Sequence, residues 1–399
     1  MKVLLLGVGL QGKAALYDLV HSADISEIIA ADFEIDSLKQ YVKSKNYENI
    51  QCEFLDANKK RNIDDLMSLK PDVIIDLLPV RCIDNVLESA VEHGIHFVNT
   101  NTTTKKMKDL AEEAKKKNIS ILPEFGLDPG IDLVLIGEAI RKIENIKQIK
   151  WYGAGIPEFE TTDNPLKYKV TWTFEGVLRT YYRPARLIKN GEIVEIKENE
   201  IFNQENIHEV EIEEIGTLEA FPNGDALSFL DLFGITNSQS AKFGMIQNLG
   251  RYTLRWPGHC EFWKKVVDLH LLDSESIKFN GVEVDKIKFL SKAIEPHIQL
   301  KPNERDVIIL RVEVVGMKNE KKYRVMHQVI DKRDLKTGFT AMNRTVGFTV
   351  SIGAQFIAKN IISKKGLLSP VIDIPFDLLE KELNLRGINF HSEFNEIAN

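Results

Sequence analysis

Lys2-Val3-Leu4-Leu5-Leu6-Gly7-Val8-Gly9-Leu10-Gln11-Gly12 is the stretch on which the fold turns. Lys2–Leu6 is a short apolar run, the pattern of a parallel strand buried on both faces. The next six residues read G-x-G-x-x-G, and Leu10–His21 follows with helical spacing that offers Ala14, Ala15, Leu16 and Leu19 for packing. In that strand-to-helix context the pattern marks a pyrophosphate-binding turn. The first glycine permits the tight turn, the second lets the phosphates approach the backbone, and the third lets helix and strand pack closely. Free N–H groups and the positive helix end then face the anion. Gly7, Gly9, Leu10, Gln11 and Gly12 are therefore the candidate phosphate-binding residues, with a plain strand-to-helix turn as the competing reading.

Outward from this turn, strand and helix patterns alternate. Strands are predicted at Glu27–Ala31, Ile50–Leu55, Asp72–Leu77, His96–Val98 and Ser120–Pro123. Helices are predicted at Ile35–Lys43, Asn62–Ser68, Cys82–Glu92 and Lys105–Lys117. Repeated βα units imply an α/β Rossmann domain, a doubly wound parallel sheet. Asp32 lies twenty residues beyond Gly12 at the end of the second strand. A carboxylate there can accept both ribose hydroxyls of NAD and would repel a 2′-phosphate, so NAD is expected over NADP. Asp32 can also serve the N-terminus of the following helix. Leu78-Pro79 ends the fourth strand and Asn101 follows the fifth, at the carboxyl ends where such sheets bind ligands. A bland turn remains the alternative at both.

From about Gln148 the reading changes to strands, at Gln148–Gly153, Lys167–Thr173, Arg186–Lys189, Ile193–Ile196, Val210–Glu213 and Val307–Val315. Lys318 to Lys322 reads as a strand-to-strand turn. This is an α+β mixed-sheet domain. Helical patterns return at Val346–Ile362 and Phe376–Leu385. The expected organisation is a dinucleotide domain over 1–123, joined by a C-terminal return over 346–399, and a substrate domain over 124–345.

Composition narrows the class. The net charge of −7 over 399 residues opposes a broad nucleic-acid or anionic-membrane surface. No apolar run reaches the roughly 18–20 residues a membrane helix needs. Cys52, Cys82 and Cys260 are scattered and form no CxxC pair, so no metal site is expected and a reducing, cytoplasmic setting fits.

Glu124-Phe125-Gly126-Leu127-Asp128-Pro129-Gly130-Ile131-Asp132 joins the two predicted domains. A carboxylate there could manage protons for a substrate amine. The alternative for Asp128 is a helix cap, with Pro129 at the first helical position.

With these residues in place, the chain resembles the saccharopine dehydrogenase–like amino-acid dehydrogenases. The resemblance runs through Gly7 to Gly12, Leu78-Pro79, Gly126 to Asp132, Gly155-Ile156-Pro157, Pro165 to Trp172, Phe221-Pro222-Asn223, Thr253 to His259 and Asn343 to Phe348. It implies a Rossmann domain, a mixed-sheet substrate and dimerisation domain, and hence a homodimer acting on a small-molecule amino-acid substrate. It further implies an NAD(P)-dependent oxidoreductase acting on a C–N bond. Two enzyme types fit: glutamate-forming saccharopine dehydrogenase of lysine metabolism, acting on CH–NH, and lysine 6-dehydrogenase, acting on CH–NH2. A catalytically silent NAD-binding sensor is a third reading.

The family's substrate-side aspartate matches Asp128. Its cysteine falls on Gly153, its arginine after the Pro-Asn pair on Gly224, and a tyrosine after the fifth strand on Thr102. Oxidising an amine needs a base to neutralise it first, and the candidates are Asp128, Glu124 and His259. Substrate carboxylates want guanidinium forks, and Arg255 and Arg344 are the motif-borne choices. Trp172 and Asn223 complete the candidate substrate-binding set. His259, Trp172 and both arginines have structural roles as their alternatives.

Overall fold

The computed structural model describes residues 1–235 and 246–398. The chain divides into two compact units, Met1–Gly137 with Asn343–Ile388, and Glu138–Met342 with Asn389–Asn399.

The first unit is built on a seven-stranded parallel sheet. Its strands are β1 (Lys2–Leu6), β2 (Glu27–Asp32), β3 (Ile50–Phe54), β4 (Val73–Asp76), β5 (His96–Asn99), β6 (Ser120–Leu122) and a two-residue strand, β17 (Gly366–Leu367). Their order is β17-β6-β5-β4-β1-β2-β3. The order reverses between β1 and β4, which places the topological switch point at the glycine turn that follows β1. Val3 to Leu6 are fully buried, as an apolar strand covered on both faces requires. Helices α1 (Leu10–Val20), α2 (Ile35–Ser44), α3 (Lys60–Met67), α4 (Ile83–His93) and α5 (Lys105–Lys116) make the crossovers. Ile74, Phe97 and Ile121 pack with Ile63, Val86, Leu87 and Met107 into one core.

The C-terminal part of this unit is tied to α1 by a buried polar knot. Arg386 donates to Asp18 at 2.5 and 3.1 Å, and Ser351 donates to the same carboxylate at 2.7 Å. Asp18 is 6% exposed, so its charge is compensated where water cannot reach it.

The second unit carries a nine-stranded mixed sheet. Its main path is β10 (His208–Ile212), β11 (Gly216–Pro222), β12 (Asn248–Arg255), β7 (Asn145–Pro157), β15 (Asp306–Lys318), β16 (Lys321–Lys332) and β18 (Phe390–Glu396). β8 (Ala185–Lys189) pairs with β12 and β9 (Glu192–Ile196), and β13 (Ile277–Phe279) and β14 (Val282–Val284) form a separate two-stranded sheet. β12 and β7 run parallel, and the other pairs are antiparallel. β15 and β16 form a hairpin closed at the Lys318–Lys321 pair, as the lysine-rich turn predicts.

The strand predicted at Lys167–Thr173 is absent, and the segment is irregular. The Asn164 side chain takes the Leu166 N–H at 3.0 Å and donates to the Tyr168 carbonyl at 2.9 Å, and Lys167 has φ of 46°. Tyr168, Lys169 and Thr171 are all buried, which breaks the two-residue alternation of a half-buried strand. Lys169 finds its charge partner in Glu304 at 2.8 Å.

Candidate functional site

The glycine turn has a left-handed first residue and an open middle. Gly7 has φ of +85°, and a Cβ there would stand 2.9 Å from the Leu77 carbonyl oxygen. A Cβ on Gly12 would collide with the Gly7 carbonyl oxygen. Gly9 differs: nothing lies within 4 Å of where its Cβ would be. It is the N-cap of α1, and no side chain caps that helix. Open space over uncapped N–H groups fits a pyrophosphate, and Gly9, Leu10, Gln11 and Gly12 are the residues that would hold it.

Asp32 sits beside this turn with both oxygens engaged. Oδ2 accepts the Val8 N–H at 2.7 Å and Oδ1 accepts the Glu34 N–H at 2.9 Å. The carboxylate ties the end of β2 to the glycine turn and to the start of α2.

At the ends of β4, β5 and β6 three polar side chains are buried with hydrogen-bonding capacity that is unmet among the described residues. Asp76 Oδ1 accepts the Leu78 N–H at 3.0 Å, while Oδ2 has no partner. Burial raises the Asp76 carboxyl to about 7, against the lowering effect of the Leu78 bond. Asn99, its register neighbour on β5, is fully buried with neither amide atom bonded. Glu124 is 3% exposed and lies in the left-handed region with φ of 57°. Its Oε1 accepts the Thr103 N–H at 2.9 Å, its Oε2 has no hydrogen-bond partner, and burial raises its pKa. The Glu124 N–H in turn donates to the Asn101 carbonyl at 2.9 Å, so Glu124 and the loop after β5 hold each other. Leu78 is partly buried and Pro79 exposed at the end of β4.

Asp128 is half-buried, three residues before the helix Ile131–Lys142 begins. The N–H of Gly130 is taken by Asp132 at 2.7 Å. Asp132 thus does for this helix entry part of what the sequence reading gave Asp128 as an alternative.

The second unit joins two of the predicted residues in a directed chain. Arg255 Nε donates to the Tyr181 hydroxyl at 3.1 Å. The Tyr181 hydroxyl and His259 Nε2 are 2.8 Å apart, and His259 Nδ1 lies 2.7 Å from the Leu166 carbonyl. The carbonyl can only accept, which assigns the proton to Nδ1 and makes Nε2 the acceptor for the Tyr181 O–H. Burial, with the Arg255 charge adding to it, lowers the His259 pKa to about 3. His259 is fully buried, so it is a neutral, locked imidazole at ordinary pH.

Arg255 is 5% exposed and lies 5.1 Å from the Tyr168 ring centroid. Burial opposes its charge, yet the phenols of Tyr181 and Tyr168 and the Cys260 thiol hold its pKa above the ordinary value. Among the described residues no carboxylate forms an ion pair with it, and Nη1 donates only to its neighbour's carbonyl, Leu254, at 2.9 Å. Glu219 on β11 fixes the following turn by accepting the N–H groups of Gly258 at 2.8 Å and Cys260 at 3.0 Å.

The Trp172 indole covers Gly176 and packs on the core around Tyr168 and Phe174. Asn223 accepts a hydrogen bond from Arg183 Nη2. A Cβ on Gly224 would meet that same guanidinium, 2.9 Å from Nη2. Arg344, in the first unit, donates to the Arg386 carbonyl at 3.1 Å and lies 5.5 Å from the Phe348 ring. Arg183 and Tyr181 carried no motif signal, and Tyr168 stood within the Pro165 to Trp172 stretch of the resemblance without being singled out. They enter only because the fold brings them to Asn223, Arg255 and His259. No group of three His, Cys, Asp or Glu among the described residues could hold a metal ion. No described helix is long and apolar enough to cross a membrane.

The sheet order with the open glycine turn at its switch point defines a protein with a Rossmann dinucleotide-binding unit. Residues 3–122 match the saccharopine dehydrogenase NADP binding domain and residues 126–388 the saccharopine dehydrogenase C-terminal domain. The chain therefore belongs to the saccharopine dehydrogenase family of oxidoreductases. It is 25% identical over 447 residues to the saccharopine dehydrogenase [NADP(+), L-glutamate-forming] of Saccharomyces cerevisiae, covering 96% of both chains. It is 23% identical to the mitochondrial alpha-aminoadipic semialdehyde synthase of Bos taurus, over 98% of this chain and 48% of the relative. The chain thus spans about half the length of such mammalian relatives. The fold matches that of apo saccharopine dehydrogenase (L-Glu forming) from Saccharomyces cerevisiae with a TM-score of 0.85 at 23% identity, covering 99% of each chain.

These matches correct the cofactor expectation. Asp32 pointed to NAD, but the matching domain is an NADP-binding one and the fungal relatives are named for NADP(+). The physical reason lies at Asp32: each of its oxygens already accepts a backbone N–H, from Val8 and from Glu34, so the carboxylate has a role in shaping the turn, and its place at the end of β2 does not by itself select ribose hydroxyls.

Proposed function

We propose that this chain is an NADP-dependent dehydrogenase acting on the C–N bond of a secondary-amine amino acid of the saccharopine kind. The names of its relatives support the cofactor and the substrate class. The observation that carries the substrate reading is Arg255, a buried guanidinium without a carboxylate partner among the described residues. Burying a charge without an anionic partner is costly, and a substrate carboxylate on Nη2, for which no bond is found among the described residues, would offset that cost.

A second guanidinium supports a substrate with more than one carboxylate. Gly224 stands where the family resemblance expects an arginine, which alone would favour a substrate with fewer carboxylates, such as lysine. Arg183 fills the space above Gly224 and bonds to Asn223, so positive charge is present there.

When bound, the nicotinamide accepts or returns a hydride at the carbon that bears the nitrogen. The chain's own residues manage protons and orientation. Glu124, its pKa raised by burial, is the group we assign to hold the proton taken from the substrate amine, with Asp128 as the more exposed carboxylate of the same segment. His259 orients Tyr181, and Tyr181 orients Arg255.

The test is NADPH formation by the full chain with saccharopine, lysine and glutamate as separate substrates, each with NADP. Turnover of saccharopine and not of lysine is the expected result. Turnover of lysine alone overturns the secondary-amine reading, and turnover of neither overturns the enzyme reading.

A further inference from the structure

Asp76 and Asn99 are buried polar residues that the proposed chemistry does not use. They are register partners at the carboxyl ends of the parallel strands β4 and β5, and both are fully buried. Their side chains share one face of the sheet. Ile74 and Phe97, two residues before each, belong to the core that includes Ile83 and Leu87 of α4 and Met107 of α5. Side chains two apart along a strand point to the same face, so Asp76 and Asn99 lie on the side that α4 and α5 cover.

The pair holds three polar atoms for which the described residues offer nothing. Asp76 Oδ1 accepts the Leu78 N–H at 3.0 Å, but Oδ2 has no hydrogen-bond partner among the described residues, and neither has Asn99 Oδ1 or Nδ2. Buried polar atoms are nearly always bonded to protein or to ordered water. Adjacent strands lie about 4.8 Å apart, so a carboxyl and a carboxamide in register could meet directly. They do not: no bond closes between them. One bridging oxygen suits such a gap, since two hydrogen bonds of about 2.8 Å span up to roughly 5.6 Å.

The chemistry of the two side chains selects the occupant. It must be small, because both residues are sealed from solvent above an apolar core. It must also donate and accept, because the Asn99 amide offers both an oxygen and an NH2 group. A cation suits the two oxygens but not the NH2 group, and an anion suits neither oxygen. Water meets every condition. It donates to a carboxylate and accepts from a carboxylic acid, so it serves Asp76 in either protonation state. Buried waters take about two to four such partners, which this pair supplies.

We propose that Asp76 Oδ2 and the Asn99 carboxamide hold an ordered water between the ends of β4 and β5. The site depends on neither the cofactor nor the substrate reading. It gives Asp76, whose other oxygen shapes the turn at Leu78, a second fixed bond.

The experiment is a crystal structure of the full chain at a resolution that shows ordered water, paired with oxygen-17 relaxation dispersion in solution, for wild type and Asn99→Leu. The wild-type map is expected to show one peak about 2.6–3.2 Å from both Asp76 Oδ2 and an Asn99 amide atom. Asn99→Leu keeps the side chain's size without its polar atoms. It should lose that peak and hold one fewer long-lived water in solution. A direct Asp76–Asn99 hydrogen bond in the wild-type crystal overturns the proposal, as does a gap with no peak. A peak ringed by five or more oxygens at about 2.3–2.6 Å would be a metal ion and would overturn it too. Equal numbers of long-lived waters in the two folded proteins count against it in the same way. If Asn99→Leu does not fold, the wild-type map decides alone.

Discussion

The carboxylate of Asp32 accepts the backbone N–H of Val8 at 2.7 Å, inside the glycine turn. A bond from a strand end to the middle of G-x-G shapes the turn before any ligand arrives. Charge-assisted bonds of this kind contribute about 1.5–3 kcal/mol. Asp32→Ala should therefore loosen the turn and lower affinity for NADPH and NADH together. Fluorescence titration with both cofactors checks this. A selective gain for NADPH alone would mean that the charge at Asp32, and not its bond to Val8, controls binding.

Gly9 offers a cleaner separation of fold from ligand. Its φ is −74°, and no atom lies within 4 Å of the Cβ position. Gly9→Val should fold with an unchanged melting temperature, while its side chain fills the space over the α1 N–H groups. Dinucleotide binding should be lost, as a titration beside a thermal melt will show.

What could be read in the sequence follows the physics of each signal. β1 and the helix Phe376–Leu385 have the predicted bounds because burial pattern and helical period are local properties. The segment Lys167–Thr173 misled because its apolar alternation is local, while only part of what fixes it is: Asn164 turns the chain beside it, and other ties are distant. Val170 donates to Ile298 and Lys169 pairs with Glu304, both more than a hundred residues away. β18 gave no signal since Phe390–Glu396 is an edge strand with mostly exposed residues and no buried face to pattern. The NAD expectation failed at a finer scale. Sequence places a carboxylate at the end of β2, but not the two N–H groups that use its oxygens. Arg183 was illegible for a related reason, since only the folded chain brings it over Gly224.

Tyr181 links Arg255 to His259, so removing its hydroxyl tests whether that chain positions a substrate-binding group. Tyr181→Phe leaves the ring contacts and strips the bonds to both partners. Leaving His259 Nε2 buried and unbonded should cost about 1–3 kcal/mol of stability. If Arg255 holds a substrate carboxylate, KM for the amino acid should rise severalfold with KM for NADP flat. Arg255→Lys, which keeps charge and loses the planar fork, should raise the same KM further. A fall in stability with both KM values unchanged would make the network structural only.

Asp76 makes stability depend on pH in an unusual direction. Burial raises its folded pKa to about 7 from the ordinary 3.8. The folded state therefore binds the proton more tightly than the unfolded chain. Stability falls as pH rises from about 4 towards 7 and is level above that. Asp76→Asn removes the ionisation, so the variant should gain on wild type across this window. The relative gain should be on the order of 2–4 kcal/mol by pH 8, since each pKa unit is worth about 1.4 kcal/mol. Urea melts at pH 4.5 and 8 check it. A constant difference between the proteins at both pH values would show that Asp76 does not titrate in this range.

Glu124 and Asp128 compete for the proton-carrying role, and their surroundings separate them. Glu124 is buried, its pKa is raised by that burial, and one oxygen already holds the loop through Thr103. Glu124→Gln keeps an acceptor for the Thr103 N–H and removes the ionisable group. If Glu124 takes the amine proton, kcat should fall by about a hundredfold or more, the size typical of a lost general base. The wild-type kcat/KM profile should fall on its acid side at a pH above the ordinary glutamate range, because the raised pKa protonates the base earlier as pH drops. In Glu124→Gln that limb should vanish along with the activity, while NADPH binding is unchanged. Asp128→Asn should then lose far less and keep the limb. The opposite pattern, with Asp128→Asn inactive and Glu124→Gln turning over normally, would assign the proton to Asp128 and leave Glu124 as the anchor of the Asn101–Thr103 loop. A loss of NADPH affinity in Glu124→Gln would point the same way, since the loop it anchors would then be what the substitution disturbs.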